Sequence, residues 1–94
     1  MKFAFLIMGE AFSACTDTAE IHNGTARMIG VANIEQACAQ AKLLLDEGVD
    51  CIELCGAFEA AGAKRIIDAT GNRIPVGYVT HLPEQDALFT ALFG

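Results

Sequence analysis

A short apolar run between glycines, at residues 49–58, indicates the class of fold to which this chain belongs. The run reads VDCIELCGAF, follows Gly48 and contains Gly56, and segments with helical periodicity lie on both sides of it. This pattern is typical of a buried strand in a parallel sheet. Glu53 is the exception within the run, because a carboxylate in a buried strand is costly unless it is paired or protonated. We therefore predict a central strand here and treat Glu53 as a candidate functional residue.

The segment before this strand carries the clearest helical signals. Asn33 suits the N-cap position, and Gln36 follows at the spacing of a capping box. Apolar residues then recur at helical spacing as far as Leu45, and Gly48 suits a left-handed cap after the last turn. The sequence therefore predicts a helix between Asn33 and Gly48.

Other apolar segments predict further strands and helices. The strands are Lys2–Met8, Ala26–Val31 and Val76–Thr80, and two more helices begin after Gly56 and at Pro83. Ala11–Thr25 has no regular period and is predicted to be a loop. This order predicts one α/β domain over residues 1–94, with a mostly parallel sheet of about four strands flanked by helices, half-barrel or flavodoxin-like. The alternative is a ferredoxin-like α+β domain, in which Ala26–Val31 forms an antiparallel hairpin with the first strand.

The charge balance excludes two classes of partner. The 94 residues include 6 Lys and Arg against 12 Asp and Glu, so the net charge is −6, which opposes binding to nucleic acid or to an anionic membrane. The apolar opening Phe3–Met8 is too short for a membrane span or a signal peptide, so we expect a cytoplasmic protein. Hydrophobic residues make up 53% of the chain, which predicts a homo-oligomer with a partly apolar interface.

The cysteines are Cys15, Cys38, Cys51 and Cys55. On the predicted strand Cys51 and Cys55 are separated by roughly 13 Å, at about 3.3 Å per residue. A disulfide requires Cα atoms within about 7 Å of each other. The C-x₃-C spacing matches neither a zinc knuckle nor a C-x₂-C redox motif. We therefore expect reduced thiols that pack as small apolar side chains, and we assign no metal ligand.

Polar residues gather at the predicted carboxyl ends of the strands, where parallel α/β sheets bind their ligands. Glu10, Cys55, Thr80 and His81 lie at or just after strand ends, and Glu53 lies near the end of its own strand. An acid together with a histidine supports general acid–base catalysis. Glu53 and His81 are therefore the catalytic candidates, and Glu10, Cys55 and Thr80 are ligand-binding candidates.

Structural roles are the alternatives for these residues. Glu10 and His81 would then be loop residues that cap helix ends. Glu53 would be a core carboxylate hydrogen-bonded to Tyr78 or Thr80 on the neighbouring strand. We favour a functional Glu53, because an apolar residue would be cheaper at a position that serves packing alone.

Two further chemistries involve Cys55 and His22. Cys55 precedes a helix N-terminus, which favours a thiolate nucleophile near His81; the alternative is a buried, inert thiol. His22, in the predicted loop, is a further ligand-binding candidate, and with Glu and Cys side chains it would extend a metal site. No paired Cys or His spacing supports that metal site.

The whole chain resembles a family of small, uncharacterised bacterial and archaeal proteins, a domain of unknown function. The segments that carry the resemblance are KFAFLIMGE, AEIHNG, IELCGAF and PVGYVTHLPEQD. The resemblance implies no activity. It does draw attention to the candidates that lie inside these segments, namely Glu10, His22, Glu53, Cys55 and His81.

Arg27–Val79 also resembles the opening units of the ketohydroxyglutarate/phosphogluconate aldolases, (β/α)₈ barrels with a helix like EQA…AKLLLDEG and a strand like CIEL. This resemblance implies that Glu53 matches the functional glutamate of that strand. The aldolases' Schiff-base lysine lies on a later strand, and no lysine here lies inside a predicted strand. Since a few such units cannot close a barrel alone, the resemblance suggests that two chains pack their sheets together.

These observations predict a small oligomer that binds a small polar ligand at the carboxyl ends of the strands, with acid–base catalysis by Glu53 and His81. No motif identifies a cofactor. The alternatives are a non-catalytic oligomeric assembly or regulatory module, and a metal-binding protein.

Overall fold

The strands predicted from apolar runs form the parallel part of one sheet. In the computed structural model, which describes residues 1–94, the elements are β1 (Phe3–Met8), β2 (Thr18–Ile21), β3 (Ala26–Val31), α1 (Ile34–Asp46), β4 (Cys51–Leu54), α2 (Glu59–Ala69), β5 (Val76–Tyr78) and α3 (Asp86–Phe93). Short 3₁₀ turns, Gly56–Phe58 and Pro83–Gln85, precede α2 and α3. The protein is thus a mixed α/β structure with a five-stranded, mostly parallel sheet and three α-helices.

The order of the strands is β2-β3-β1-β4-β5, and all neighbours except β2 and β3 are parallel. When the four parallel strands β1, β3, β4 and β5 are numbered 1 to 4 along the chain, their order across the sheet is 2-1-3-4. This is the order found in the flavodoxin-like arrangement. The half-barrel prediction is wrong, because β1 lies between β3 and β4, whereas a barrel keeps successive strands adjacent. The ferredoxin-like alternative is also wrong, since β3 runs parallel to β1 from the pair Phe3–Ala26 to the pair Met8–Val31.

Strand β2 lies inside the segment predicted to be a loop, Ala11–Thr25, so the predicted number of strands is too low. It pairs antiparallel with β3, and the turn between them places His22 and Asn23 at positive φ. This hairpin returns the chain to the amino end of β1 and allows β3 to start there, parallel to β1. Every residue of β2 is exposed, which explains why it has no apolar pattern.

Helices α1 and α2 cover one face of the sheet. Both crossovers, β3–α1–β4 and β4–α2–β5, move the chain toward the same edge, and right-handed crossovers in one direction place their helices on one face. The buried core lies between this face and the helices. Its members are Ala4, Leu6, Ile29, Val31, Ala37, Ala41, Leu44, Val49, Ile52, Leu54, Phe58, Ala63 and Ile66.

The ends of α1 match the predicted signals. The Asn33 side chain accepts a hydrogen bond from the Gln36 backbone N–H at 2.9 Å, and the Gln36 side chain accepts one from the Ala32 N–H at 3.0 Å. Such a cap stabilises a helix by about 1 kcal/mol. After the last turn Gly48 adopts a φ of +85°, and the Val49 N–H donates to the Leu44 carbonyl at 3.0 Å.

The opposite face of the sheet has no helix on it. We call it the open sheet face, and it carries the alternate strand residues Phe3, Phe5, Ile7, Ala19, Ile21, Ala26, Met28, Gly30, Cys51, Glu53 and Gly77. The rings of Phe3 and Phe5 are half-buried, and Met28 and Ile21 are exposed. Two residues of the segment after β1, Phe12 and Asp17, lie over this face at Gly30.

Helix α3 follows the carboxyl end of β5, and none of its residues is buried. Its apolar side chains therefore contribute little to the core of their own chain. The longest helix, α1, has 13 residues, and none of the helices has the length and apolar character needed to cross a membrane.

Candidate functional site

A cleft of about 900 Å³ lies at the carboxyl ends of β4 and β5, between the start of α2 and α3. We call it the α2–α3 cleft. The Val79 N–H donates to the Leu54 carbonyl at 2.9 Å and extends the pairing of β4 and β5 to the floor of the cleft. Its walls are formed by Cys55, Gly56, Ala57, Glu59, Ala60, Tyr78, Val79, Thr80, His81, Phe89, Thr90, Phe93 and Gly94. The predicted residues Cys55, Thr80 and His81 thus share one cavity.

The imidazole of His81 is held from two sides. Its Nε2 lies 2.7 Å from Asp86 Oδ1, and its ring stacks on Phe89 with centroids 3.9 Å apart and an interplanar angle of 7°. A neutral His81 that donates its Nε2–H to Asp86 has a lone pair on Nδ1, which can accept a proton. A protonated His81 forms an ion pair with Asp86. Asp86 can therefore contact both the neutral and the protonated imidazole of His81, the two forms that alternate in an acid–base reaction.

Cys55 lies where β4 passes into the 3₁₀ turn before α2. Its backbone N–H donates to the Leu6 carbonyl at 3.0 Å, and its Sγ accepts a hydrogen bond from the Met8 N–H at 3.3 Å. The thiol is half-buried and packs against the edge of the core. Cys55, His81 and Asp86 thus supply, around one cleft, the residue types of a nucleophile, a base and a group that orients the base.

Glu59 has an unusual backbone conformation at the wall of the cleft. Its φ is 57° and its ψ is −176°, in a region that residues other than glycine rarely adopt. Such conformations cost about 1–3 kcal/mol and are often found at ligand-binding sites. The carboxylate of Glu59 also adds negative charge beside the first turn of α2.

Glu53 lies on the open sheet face and is exposed, so the expectation of a buried carboxylate is wrong. Side chains alternate along β4, and the side that carries Glu53 has no covering helix. The Glu53 carboxylate lies over Gly77, where an added Cβ would come within 2.8 Å of its Oε2. The core alternative is also wrong, because Glu53 makes no hydrogen bond to Tyr78 or Thr80. Glu53 is not part of the wall of the α2–α3 cleft, so the structure does not join it to His81 in one cavity.

Glu53 affects the thiol that precedes it on the same face. Burial raises the pKa of Cys51, and the negative charges of Glu53 and Asp50 raise it further. No disulfide joins the four cysteines in the structure.

The remaining candidates lie apart from the cleft. Glu10 is exposed in the turn after β1 and does not line the cavity. His22 lies in the β2–β3 turn, at the amino end of the parallel strands, because β2 runs antiparallel and reverses the chain there. The structure therefore separates His22 from the other predicted residues. No three His, Cys, Asp or Glu side chains form a group that could hold a metal ion.

Two residues that contact His81, Phe89 in the wall of the cleft and Asp86 beside it, were not predicted from the sequence. The available signal for Asp86 was a carboxylate in the first turn of the helix that follows His81. Its contact with the imidazole depends on how the chain turns at Pro83 before α3. His81 and Asp86 are only five apart in the chain, but no motif in the sequence marks their contact.

The fold and the cleft define a small mixed α/β protein with one helix-covered sheet face and a cavity at its carboxyl edge. The chain belongs to a family of unknown function, DUF6506, whose sequence model matches residues 1–94. This confirms the resemblance to an uncharacterised family. No curated protein and no solved structure matches the chain in the same comparisons.

Proposed function

We propose that this protein binds a small molecule in the α2–α3 cleft. The observation that carries the proposal is the cavity itself, which brings Cys55, Thr80 and His81 together at the carboxyl edge of the sheet. Its volume of about 900 Å³ is within the range of ligand pockets, about 300–1,000 Å³. Its position follows the general rule for ligands of open α/β sheets.

The walls of the cleft suggest the chemistry of the ligand. Tyr78, Phe89 and Phe93 offer aromatic surface, whereas Thr80 and His81 offer hydrogen-bonding groups. A ligand with a flat apolar part and a polar group matches these walls. The carboxylates of Glu59 and Asp86 lie beside the cavity, so a neutral or cationic polar group is favoured over an anion.

If the bound molecule is transformed, His81 is the acid–base group of the proposal and Asp86 is its positioning residue. The contact of 2.7 Å between them and the stacking on Phe89 support that assignment. Glu53 is not required, because it lies on the open sheet face.

The test uses nuclear magnetic resonance with neighbouring alanines as matched variants. Ala60 and Ala61 are both exposed in α2, but only Ala60 lines the cleft. Isotopically labelled protein is titrated with a set of small aromatic amines, amides and carboxylic acids. We expect amines or amides to shift the amide signals of Gly56 and His81, Ala60→Phe to abolish those shifts, and Ala61→Phe to retain them. The absence of shifts at the cleft, or equal shifts in both variants, would overturn the proposal.

A further inference from the structure

Helix α3 has two faces, and its own chain uses only one of them. Phe89, Thr90 and Phe93 line the α2–α3 cleft. At 100° per residue the other face carries Ala87, Leu88, Ala91 and Leu92, of which Leu88 is 66% and Leu92 is 76% exposed. We call these four residues, with the neighbouring Leu82, the arm surface. A helix that is apolar on all sides is normally buried. We therefore expect the arm surface to pack against another apolar surface.

The open sheet face is also apolar and is also expected to pack against another surface. It presents the side chains of Phe3, Phe5, Ile7, Ile21 and Met28, and Glu53 is its only charged strand residue. No helix of the same chain packs on it. Two apolar surfaces, one on a helix and the other on a sheet, are thus left without a partner in one molecule.

We propose that the arm surface of one copy docks on the open sheet face of a second copy, and that the reciprocal contact closes a two-fold dimer. Helix α3 is not packed on its own sheet: its main contacts are with the turn that precedes it and with His81, and none of its residues is buried. Exchange between two copies covers both surfaces at once and leaves no further copy to recruit, as in a closed isologous dimer.

The areas agree with such a dimer. Leu82, Leu88 and Leu92 are 65%, 66% and 76% exposed, and with the two alanines they present on the order of 400 Å² of apolar surface. Two arm surfaces and the two sheet surfaces that match them would bury on the order of 1,600 Å² in total, the size of a typical specific interface.

The distribution of charge also suits a second copy. A chain with a net charge of −6 repels another copy wherever carboxylates meet. The arm surface has no charged residue, and the acidic groups on the open sheet face are Glu53 and, over Gly30, Asp17. Docking at these two surfaces therefore avoids nearly all of the acidic groups.

The test measures the oligomeric state by sedimentation velocity between about 1 and 200 µM. The variants are Leu92→Glu on the arm surface and Met28→Glu on the open sheet face, with Leu43→Glu as the control. Leu43 is 52% exposed on α1 and Met28 is 43% exposed. We expect the wild type and Leu43→Glu to dimerise, and each of the other variants to raise the dimer dissociation constant at least about 100-fold. Ile21→Glu, on the exposed edge strand, serves as a second sheet variant if Met28→Glu does not fold.

A mixture of the two interface variants distinguishes a contact between helix and sheet from a contact between two helices. Mixing Leu92→Glu with Met28→Glu should restore a heterodimer, because the arm surface of the second variant meets an unaltered sheet on the first. A wild type that stays monomeric throughout, which leaves the surfaces to another occupant, would overturn the proposal. A Met28→Glu dimer as stable as the wild type would indicate a helix–helix pair and overturn it as well.

Discussion

The two faces of the central sheet differ in how far the rest of the chain covers them. On one face, α1 and α2 bury Leu6, Ile52 and Leu54 completely. On the other, only Phe12 and Asp17 lie over the strands, and both are near Gly30. The difference shows that the stability of the single chain resides on the covered face, whereas the open sheet face and α3 are available for function and association.

The largest expected change in the free energy of unfolding comes from a substitution at Ile52 on the covered face, and Ile21 on the open sheet face is its matched control. Ile52 is 0% and Ile21 is 64% exposed. Ile52→Ala leaves a cavity in the core and should lower the free energy of unfolding by about 2–5 kcal/mol, whereas Ile21→Ala should lower it by less than about 1 kcal/mol. Urea denaturation at low protein concentration, where self-association does not contribute, measures both. Equal losses would contradict the assignment of stability to the covered face.

A smaller effect, of opposite sign, is expected at the wall of the cleft. Glu59→Gly relieves a strained backbone that costs about 1–3 kcal/mol, and the flexibility of glycine in the unfolded chain offsets about 0.5–1 kcal/mol of that gain. We therefore expect the free energy of unfolding to rise by about 1 kcal/mol. The control is Glu35→Gly, in the first turn of α1 and without a positive φ, which should be destabilising. A loss of stability in both variants would contradict the strain at Glu59.

The smallest effect concerns the thiol of Cys51 on the open sheet face. Burial and the charges of Glu53 and Asp50 raise the pKa of Cys51, so a smaller fraction is thiolate at a given pH and alkylation is slower. The pH at which its reaction with iodoacetamide is half-maximal should therefore lie above that of an unperturbed thiol. Glu53→Gln removes one of the charges and should move the profile toward lower pH, with burial and Asp50 still acting. Mass spectrometry of the labelled peptides measures the rates, and an unchanged profile in Glu53→Gln would show that the carboxylate does not act on Cys51.

Local signals in the sequence were sufficient for most of the elements. Asn33 and Gln36 form the predicted cap of α1, Gly48 adopts the predicted left-handed turn, and Pro83 lies in the turn before α3. Each of these depends on atoms only a few residues apart, so the chemistry of the residue types is informative without the rest of the fold. The strand β2 was missed because its only structural signal is its pairing with β3.

The candidate site was predicted in part. The rule that ligands bind at the carboxyl ends of parallel strands correctly placed Cys55, Thr80 and His81 in one region. It did not report that Glu53 would face away from the cleft, because the alternation of side chains along a strand leaves open which face a helix will cover.

The alternation of apolar strands and amphipathic helices was enough to predict a mixed α/β protein with a mostly parallel sheet, because periodicity and caps are properties of short segments. The tertiary structure alone decided the order of the strands, the uncovered face of the sheet and the cleft that joins Cys55 to His81. These features depend on the direction of each crossover and on the position of α3, which bring together residues that no local pattern relates.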